Sequence, residues 1–541
     1  MRHLKVITSA LCAAIVLSAC GGGGNTSTPT LAPGSPGSLL QSPPPQTISL
    51  TAAQMTTAIN GMSNGPAILS LAGTPTCGVN VQYFQYGTID GTLKPGATAS
   101  GALMIPTGTA AQCQGKRPIV LYAHGTNEYQ SYNLANWTTA ANPASGEGAI
   151  IAAIYAAQGY IVVAPNYVGY DSSNIHYHPY LVGPQQTTDM INSLQAARTA
   201  LPTVPNSSVS DNGQLFISGY SQGGYVALAT QKAMETAAAN GDATMTVTAG
   251  SPGSGPYALA HFVDFVMQGH PSLGGPVYST MIATAYQNSY GDIYSQPSDL
   301  YTASLANAGI ATLLPFVNPT PAQLSIIPEL ALFSATPPSP AYANITPAVT
   351  GTSFDQLYAF GIGDPSLINN TFRLAVLQDI QANPDHLNPA TNLGGPTTSA
   401  ALPLRRHLAA NDLRGYYPKA PTLLCGGQND PEVYFAQNAS IMNAQWAAYN
   451  AANPSSTVKY GVLDLAAAPL ATDDGYNAIR IGFQALIAST GQAAYNAAIA
   501  GGSSAASAAF AEEIAEVENT HDDEFPFCGA AARQYFSQFV H

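Results

Sequence analysis

The stretch "QLFISGYSQGGYVALATQKAM", Gln214–Met234, constrains the fold more than any other. A short apolar run rich in strand formers ends at Gly219, and a helical pattern begins directly after Ser221. To pass from strand to helix in so few residues, the backbone must reverse sharply and strain the residue at the tip. Glycines two before and two after it avoid side-chain clashes across the turn. Such a unit needs a strand buried in a sheet, with the helix lying on one face. It would leave the Ser221 hydroxyl exposed at the end of that sheet.

The flanks repeat the same rhythm. "RPIVLYAHGT", "YIVVAPNYVGY", "MTVTAGSPGSGPY", "APTLLCGGQND" and "STVKYGVLDL" read as buried strands. Between them, "EGAIIAAIYAAQGY" and "QQTTDMINSLQAARTAL" read as helices. The expected class is α/β, a mostly parallel sheet flanked by helices. Ahead of it, "VNVQYFQYGTI" and "ASGALMIPT" read as antiparallel strands. A short helix is expected from about Ile48, with Ser49 or Thr51 near its cap. From Pro256 to about Pro418 the strand signal fades into apolar helical stretches with many Pro and Tyr. That segment reads as a cap inserted between late strands, a separate helical domain being the alternative.

The N-terminus reads as a targeting segment. Arg2 and Lys5 precede the apolar run Val6–Leu17, too short to span a bilayer, and "LSAC" ends at Cys20. This resembles a bacterial lipoprotein signal in which Cys20 is lipidated; an ordinary secretory signal cut nearby is the alternative. Gly21 follows, without the aspartate that commonly signals inner-membrane retention, so the expected location is the cell envelope, at the outer membrane or cell surface. The expected organisation is a signal over 1–19, a Gly/Pro/Ser-rich tether over 20–47, and a first core part over 48–255. A cap over 256–418 and a second core part over 419–541 complete it. A net charge of −14 with only 15 Lys and Arg, and no basic stripe, excludes a phosphate-backbone binder, so no nucleic-acid partner is expected. Beyond Cys12 and Cys20, four cysteines remain: Cys77, Cys113, Cys425 and Cys528. An even remainder in an exported chain suggests two disulfides, and with no CxxC pair a structural zinc is not expected.

A serine hydroxyl is a poor nucleophile without a base, and the base needs an orienting carboxylate. In an elbow architecture these follow in the order Ser, acid, His. Asp430 ends "PTLLCGGQND" after a Gly-Gly turn and is favoured as the acid over Asp464, the rival on the following strand. Of the ten histidines, His521 in "ENTHDDEFPFC" is the one that lies downstream of the acid and ahead of a closing helix "AAARQYFSQFV". Acyl transfer also needs N–H donors for an oxyanion. Gln222, just after the nucleophile, supplies one; Thr126, or Gly125 if the loop is shifted by one, supplies the other. His124 then reads as holding that loop. His176 and His178 have no third ligand nearby, so they read as structural or substrate-lining and no metal is expected. This chemistry needs no cofactor.

These residues resemble the α/β-hydrolase superfamily, and within it the lipase and esterase branch of the secretory lipases. The stretches that carry the resemblance are "IVLYAHGT", "VVAPNYVGYDSS" with "HPYL", "ISGYSQGG", "GSPGSGPY", "PKAPTLLCGGQNDPEV" and the segment from His521 through "PFCGAAARQYF". The resemblance implies ester hydrolysis, a cap between the sixth and seventh strands, and a neutral or apolar ester as substrate, with the membrane met through the lipid anchor. A serine peptidase on the same fold, or a catalytically silent surface-binding lipoprotein, are the alternatives. The long interval between Asp464 and His521 departs from the family, and its residues 488–510 have no evident role. If Asp430 and His521 are partners, the loops that carry them run side by side, which brings Cys425 and Cys528 within disulfide reach, with Cys77–Cys113 as the companion bridge; buried free thiols or crosswise pairing are the alternatives. Metabolic labelling with a fatty acid should mark the wild-type protein and fail on Cys20→Ser, which should also lose detergent-phase partitioning; unchanged partitioning would count against the lipoprotein signal.

Overall fold

The computed structural model describes residues 34–541 other than 63, 64 and 353, so the segment read as a lipoprotein signal and the first part of the expected tether lie outside the described residues. Its nine strands are β1 Gln46–Leu50, β2 Gly78–Ile89, β3 Pro95–Thr107, β4 Gly115–Ala123, β5 Ile161–Pro165, β6 Val209–Tyr220, β7 Ala249–Gly253, β8 Thr422–Gly426 and β9 Tyr460–Asp464. They form a single sheet in the order β1-β2-β3-β5-β4-β6-β7-β8-β9. From β5 to β9 every neighbouring pair is parallel, while β1–β2, β2–β3 and β3–β5 are antiparallel. The fold is the expected α/β class. Every residue of β5, β7 and β8 is buried, as are the C-terminal halves of β4 and β6, because helices cover both faces of the sheet there.

The N-terminal part differs from the sequence reading. Residues 46–50 form a strand, and the helix begins only at Ala52. Alternating short polar and apolar residues suit an edge strand as well as a helix cap, and the exposed edge of β2 selects the strand. Thr51 is the cap, in a reciprocal capping box with Gln54. Part of the expected tether is also laid on the sheet: Leu39 bridges Tyr86, and Gly37 N–H donates to the Gly87 carbonyl at 2.9 Å.

The segment between β7 and β8 holds the helices Leu259–Met267, Gly275–Tyr290, Asn370–Ala382 and Pro403–Ala410. Its apolar side chains, among them Tyr286, Phe333, Leu367 and Leu408, belong to the same hydrophobic cluster as the sheet. Two buried ionic clusters brace it. Arg405 pairs with Asp264 at 2.6 Å and Asp379 at 3.1 Å, and Arg414 pairs with Asp385 at 2.7 Å and Asp412 at 2.9 Å. Loss of one partner in such a cluster leaves a buried charge unpaired, at a cost of about 3–5 kcal/mol. Tyr225, on the helix after β6, donates to the Asn411 carbonyl at 2.7 Å and so ties the insertion to the core.

After β9 the chain forms an alanine-rich helical hairpin, Asn477–Ala500 and Ala505–Glu518, and then the closing helix Thr520–Ser537. Residues 488–510 form the far half of that hairpin. The disulfides join Cys77 to Cys113 and Cys425 to Cys528. The second spans 103 residues and ties the end of β8 to the closing helix. In the chain-entropy account a loop of that length is worth about 4–5 kcal/mol. Replacing Cys425 and Cys528 together by Ser should lower the thermal midpoint and cut activity before global unfolding. The same change at Cys77 and Cys113 should lower the midpoint with a smaller effect on activity. Equal losses of activity from both pairs, followed by calorimetry and ester hydrolysis, would detach the Cys425–Cys528 bridge from the site.

Candidate active site

Ser221 stands where β6 ends and the helix Gln222–Ala239 begins, with φ 58° and ψ −124°. A non-glycine residue in this region costs about 1–3 kcal/mol and persists only where its surroundings hold it. The hold is visible. Ser221 N–H donates to the Gly253 carbonyl of β7 at 3.0 Å, and the Ser221 carbonyl accepts from Gly224 N–H at 2.9 Å. A Cβ on Gly219 would come within 2.3 Å of the Gly223 carbonyl oxygen, and one on Gly223 within 2.0 Å of the Ala123 carbonyl oxygen. Both glycines are required by backbone packed against backbone.

β4 delivers the neighbouring loop. Gly125 packs against the elbow, a Cβ there lying 3.8 Å from Ser221 Cβ, and its N–H donates to Glu147 Oε1 at 3.1 Å. Glu147 also accepts from the Tyr122 and Tyr132 hydroxyls at 2.7 and 2.6 Å, so it anchors the loop from the helix Ser145–Ile154. Thr126 Oγ1 is 2.8 Å from the Tyr180 hydroxyl. His124 is buried, with Nδ1 2.7 Å from the Gly125 carbonyl and Nε2 3.1 Å from the Asn166 carbonyl, and its ring stacks between Tyr132 and Tyr167. Burial holds its pKa below the ordinary histidine value against the pull of Glu147. His178 Nδ1 faces the Val168 carbonyl at 2.8 Å, and its Nε2 takes Gln222 Nε2 at 2.6 Å. Burial lowers His178 to about 3, so the neutral ring pins the Gln222 side chain at the start of the elbow helix. His176 is exposed and distinct from this arrangement. Among the described residues no cluster of three His, Cys, Asp or Glu side chains is arranged to hold a metal ion.

The carboxylate expected as the acid lies in the turn after β8. Asp430 is fully buried; its Oδ1 accepts from the Glu432 and Val433 N–H groups at 2.9 Å, and its Oδ2 accepts from His521 Nδ1 at 2.8 Å. Asp464, the rival at the end of β9, is turned to backbone instead. Its Oδ1 accepts from Gln428 N–H at 3.2 Å and Ala466 N–H at 2.9 Å, which braces the turn that carries Asp430.

His521 differs from the sequence reading in one respect. It lies not on a loop but in the first turn of the closing helix, which runs from Thr520 through Pro526. "THDDEFP" carries a proline and three acids that look like a loop, but Asp522 and Asp523 favour a helix N-terminus. With Nδ1–H donated to Asp430, Nε2 is left as the basic nitrogen. It is buried and has no hydrogen-bond partner among the described residues.

Two carboxyls around this ring escaped sequence reasoning. Glu432 Oε2 lies 3.7 Å from His521 Nε2 and accepts a hydrogen bond from the Tyr278 hydroxyl of the insertion. Glu524 is fully buried one turn beyond His521, and its Oε2 accepts from Ser254 Oγ at 2.6 Å and the Tyr220 hydroxyl at 3.2 Å. Burial, with Asp430 nearby, pushes Glu524 well above the ordinary carboxylate value, so it is neutral. Its i+3 spacing from His521 would have shown it, had the helix been read through Pro526. Burial alone would lower His521, but the Asp430 and Glu432 carboxylates outweigh it and raise the ring to about 10.

Residues 145–254 match the secretory lipase family model, a span holding the elbow and the helix that carries Glu147. The solved structure of the rice cell wall degrading esterase LipA from Xanthomonas oryzae is similar over 90% of this chain and 99% of that one, at 23% identity and a TM-score of 0.58. Another LipA structure reaches 25% identity over 84% of this chain and 95% of that one, with the same TM-score of 0.58. A Legionella pneumophila structure covers 93% of this chain and 98% of its own length at 15% identity and a TM-score of 0.60. No curated protein sequence matches the chain. The fold is that of the α/β-hydrolases, with β1 at one edge of its sheet.

Removal of the Asp430 carboxylate should be severe and of the Asp464 carboxylate mild. Asp430→Asn should lower kcat for a model ester by about 10³–10⁴-fold, as loss of an orienting aspartate does elsewhere. Asp464→Asn should lower it by less than about tenfold, through a loosened turn alone. The reverse order would move the acid to β9.

Proposed function

We propose that this chain, which has the α/β-hydrolase fold and resembles the secretory lipases over residues 145–254, is a carboxylic ester hydrolase that works through an acyl-enzyme. The observation that carries the reading is the pairing of a strained serine elbow with a buried base whose orienting nitrogen is bound to Asp430 at 2.8 Å. The esterase activity named for the Xanthomonas neighbour supports it.

Ser221 Oγ attacks the ester carbonyl while His521 Nε2 takes its proton, and the carbonyl oxygen becomes an oxyanion. The backbone N–H of Gln222 and that of Thr126 receive this charge; the Gly125 N–H is already given to Glu147. His521 then returns the proton to the leaving alcohol, which departs as the C–O bond breaks. Water attacks the acyl-enzyme with His521 again as base, and Ser221 is regenerated with release of the acid. Asp430 holds the ring in the tautomer this needs and stabilises the imidazolium.

The surroundings favour neutral, apolar substrates. A cavity of about 60 Å³ in the insertion is lined by Phe262, Val266, Met267, Ile282 and Phe372, and Tyr278 stands at its border. Through Tyr278 and Glu432 this cavity is two hydrogen-bonded or ion-paired steps from His521 Nε2. Attachment of the chain to the cell envelope through Cys20 would set the site at a membrane surface. A fluorophosphonate probe should label the protein at Ser221 and not label Ser221→Ala, and that variant should keep no more than a few per cent of wild-type esterase activity. A chain-length series of p-nitrophenyl esters beside peptide amides should show turnover confined to the esters; amide turnover of similar rate would favour a peptidase.

A further inference from the structure

His521 has a carboxylate on each side of its ring. Asp430 occupies Nδ1, at 2.8 Å, and Glu432 faces Nε2, at 3.7 Å. The same turn supplies both, and Glu432 N–H donates to Asp430 Oδ1 at 2.9 Å, so the two acids are fixed relative to each other. Glu432 is also held from the opposite side, by the Tyr278 hydroxyl on the insertion helix Gly275–Tyr290. The Glu432 side chain is only 15% exposed. Nε2 is the nitrogen that must take the serine proton, and a triad needs no second carboxylate there.

We infer that Glu432 is a positioning residue for the base: its carboxylate faces the proton that His521 carries on Nε2, holds that proton against release, and is itself tuned from the insertion by Tyr278. The inference rests on the reading of His521 as the base of an ester hydrolase. No proton passes to Glu432. When Ser221 Oγ bonds to the substrate carbon, its proton forms the Nε2–H bond, and that N–H lies against the Glu432 carboxylate until the leaving alkoxide takes it.

The groups around the pair agree on a direction. Burial pushes Glu432 up to about 7, with Asp430 and Asp522 adding to the rise and His521 and Tyr278 opposing it. Tyr180, on the loop before the helix Gly183–Ala200, also feels the Glu432 charge. At His521, Asp430 and Glu432 favour the protonated ring against burial, while Glu524, itself pushed toward its neutral form, lies one turn along the same helix. An ionised Glu432 therefore keeps His521 protonated to higher pH, and the acid side of the activity profile is displaced upward. Closing or loosening the Tyr278 contact would shift it, so the insertion also adjusts the base.

The test is the pH profile of kcat/KM for a soluble p-nitrophenyl ester, with the pH dependence of fluorophosphonate labelling beside it. Glu432→Gln keeps an acceptor for Tyr278 and removes the charge. His521 then loses a proton more easily, and the acid limb should move to lower pH by about one unit or more, a tenfold gain in kcat/KM well below the limb. Tyr278→Phe removes a hydrogen bond that favours ionised Glu432, leaves more of it neutral, and should move the limb the same way by less. Glu432→Asp should return the limb toward the wild-type position. A limb unmoved in Glu432→Gln, with only a uniform loss of kcat, would make Glu432 merely structural and overturn the inference. Should Glu432→Gln fail to fold by circular dichroism, an unmoved limb in Tyr278→Phe overturns it equally. Wild-type protein that takes no label at Ser221 would instead bring down the functional reading itself.

Discussion

Everything in the site depends on the close approach of three backbones beneath Ser221. The ends of β4, β6 and β7 meet where the Ala123 and Gly253 carbonyls press on the elbow, and no side chain fits between them. That contact holds Ser221 in a conformation it would not choose, sets the origin of the helix Gln222–Ala239, and lays the Gly125–Thr126 loop alongside. A parallel sheet makes this possible because its strands all end on the same side, so residues far apart in the chain arrive at one rim.

The rim then gathers charge in a dry place. His521, Asp430 and Glu524 are all buried, and Glu432 nearly so. Four titratable groups this close cannot all keep their ordinary protonation. Asp430 is met by two backbone N–H groups and an imidazole; Glu524 is met only by hydroxyls, and burial pushes it well above the ordinary carboxylate value. Glu432 lies between these extremes, with one hydroxyl and one imidazole edge. The Cys425–Cys528 bridge matters here because it fixes the spacing of the turn and the helix that carry the opposed charges.

The insertion is not a lid laid loosely on the sheet. It shares the hydrophobic core, carries two buried ionic clusters of its own, and sends Tyr278 to the acid turn. One helix of the insertion is thereby linked through Glu432 to His521. This is a different economy from a site whose cap touches only the substrate.

Much of this was legible in the chain. The elbow, the alternation of strands and helices, the order Ser221, Asp430, His521 and the four cysteines each follow from local physics. Apolar runs must be buried, a strained turn demands glycine at fixed offsets, and a strand-end carboxylate reads as such from its flanks. The preference for Asp430 over Asp464 rests on the Gly-Gly turn at the end of β8; that Asp464 accepts from the Ala466 N–H is a fact of the structure. What only the tertiary structure decided was of another kind. Whether residues 46–50 pair as a strand depended on a free edge elsewhere in the sheet, and whether "THDDEFP" is helix depended on the core beneath it. Glu432, Glu524 and Tyr278 acquire their roles from neighbours 89 or more positions away, as with His521 and Glu432, or from depth of burial. A linear pattern records what each residue prefers; it does not record which charges will share a cavity, and that is what sets a proton's place.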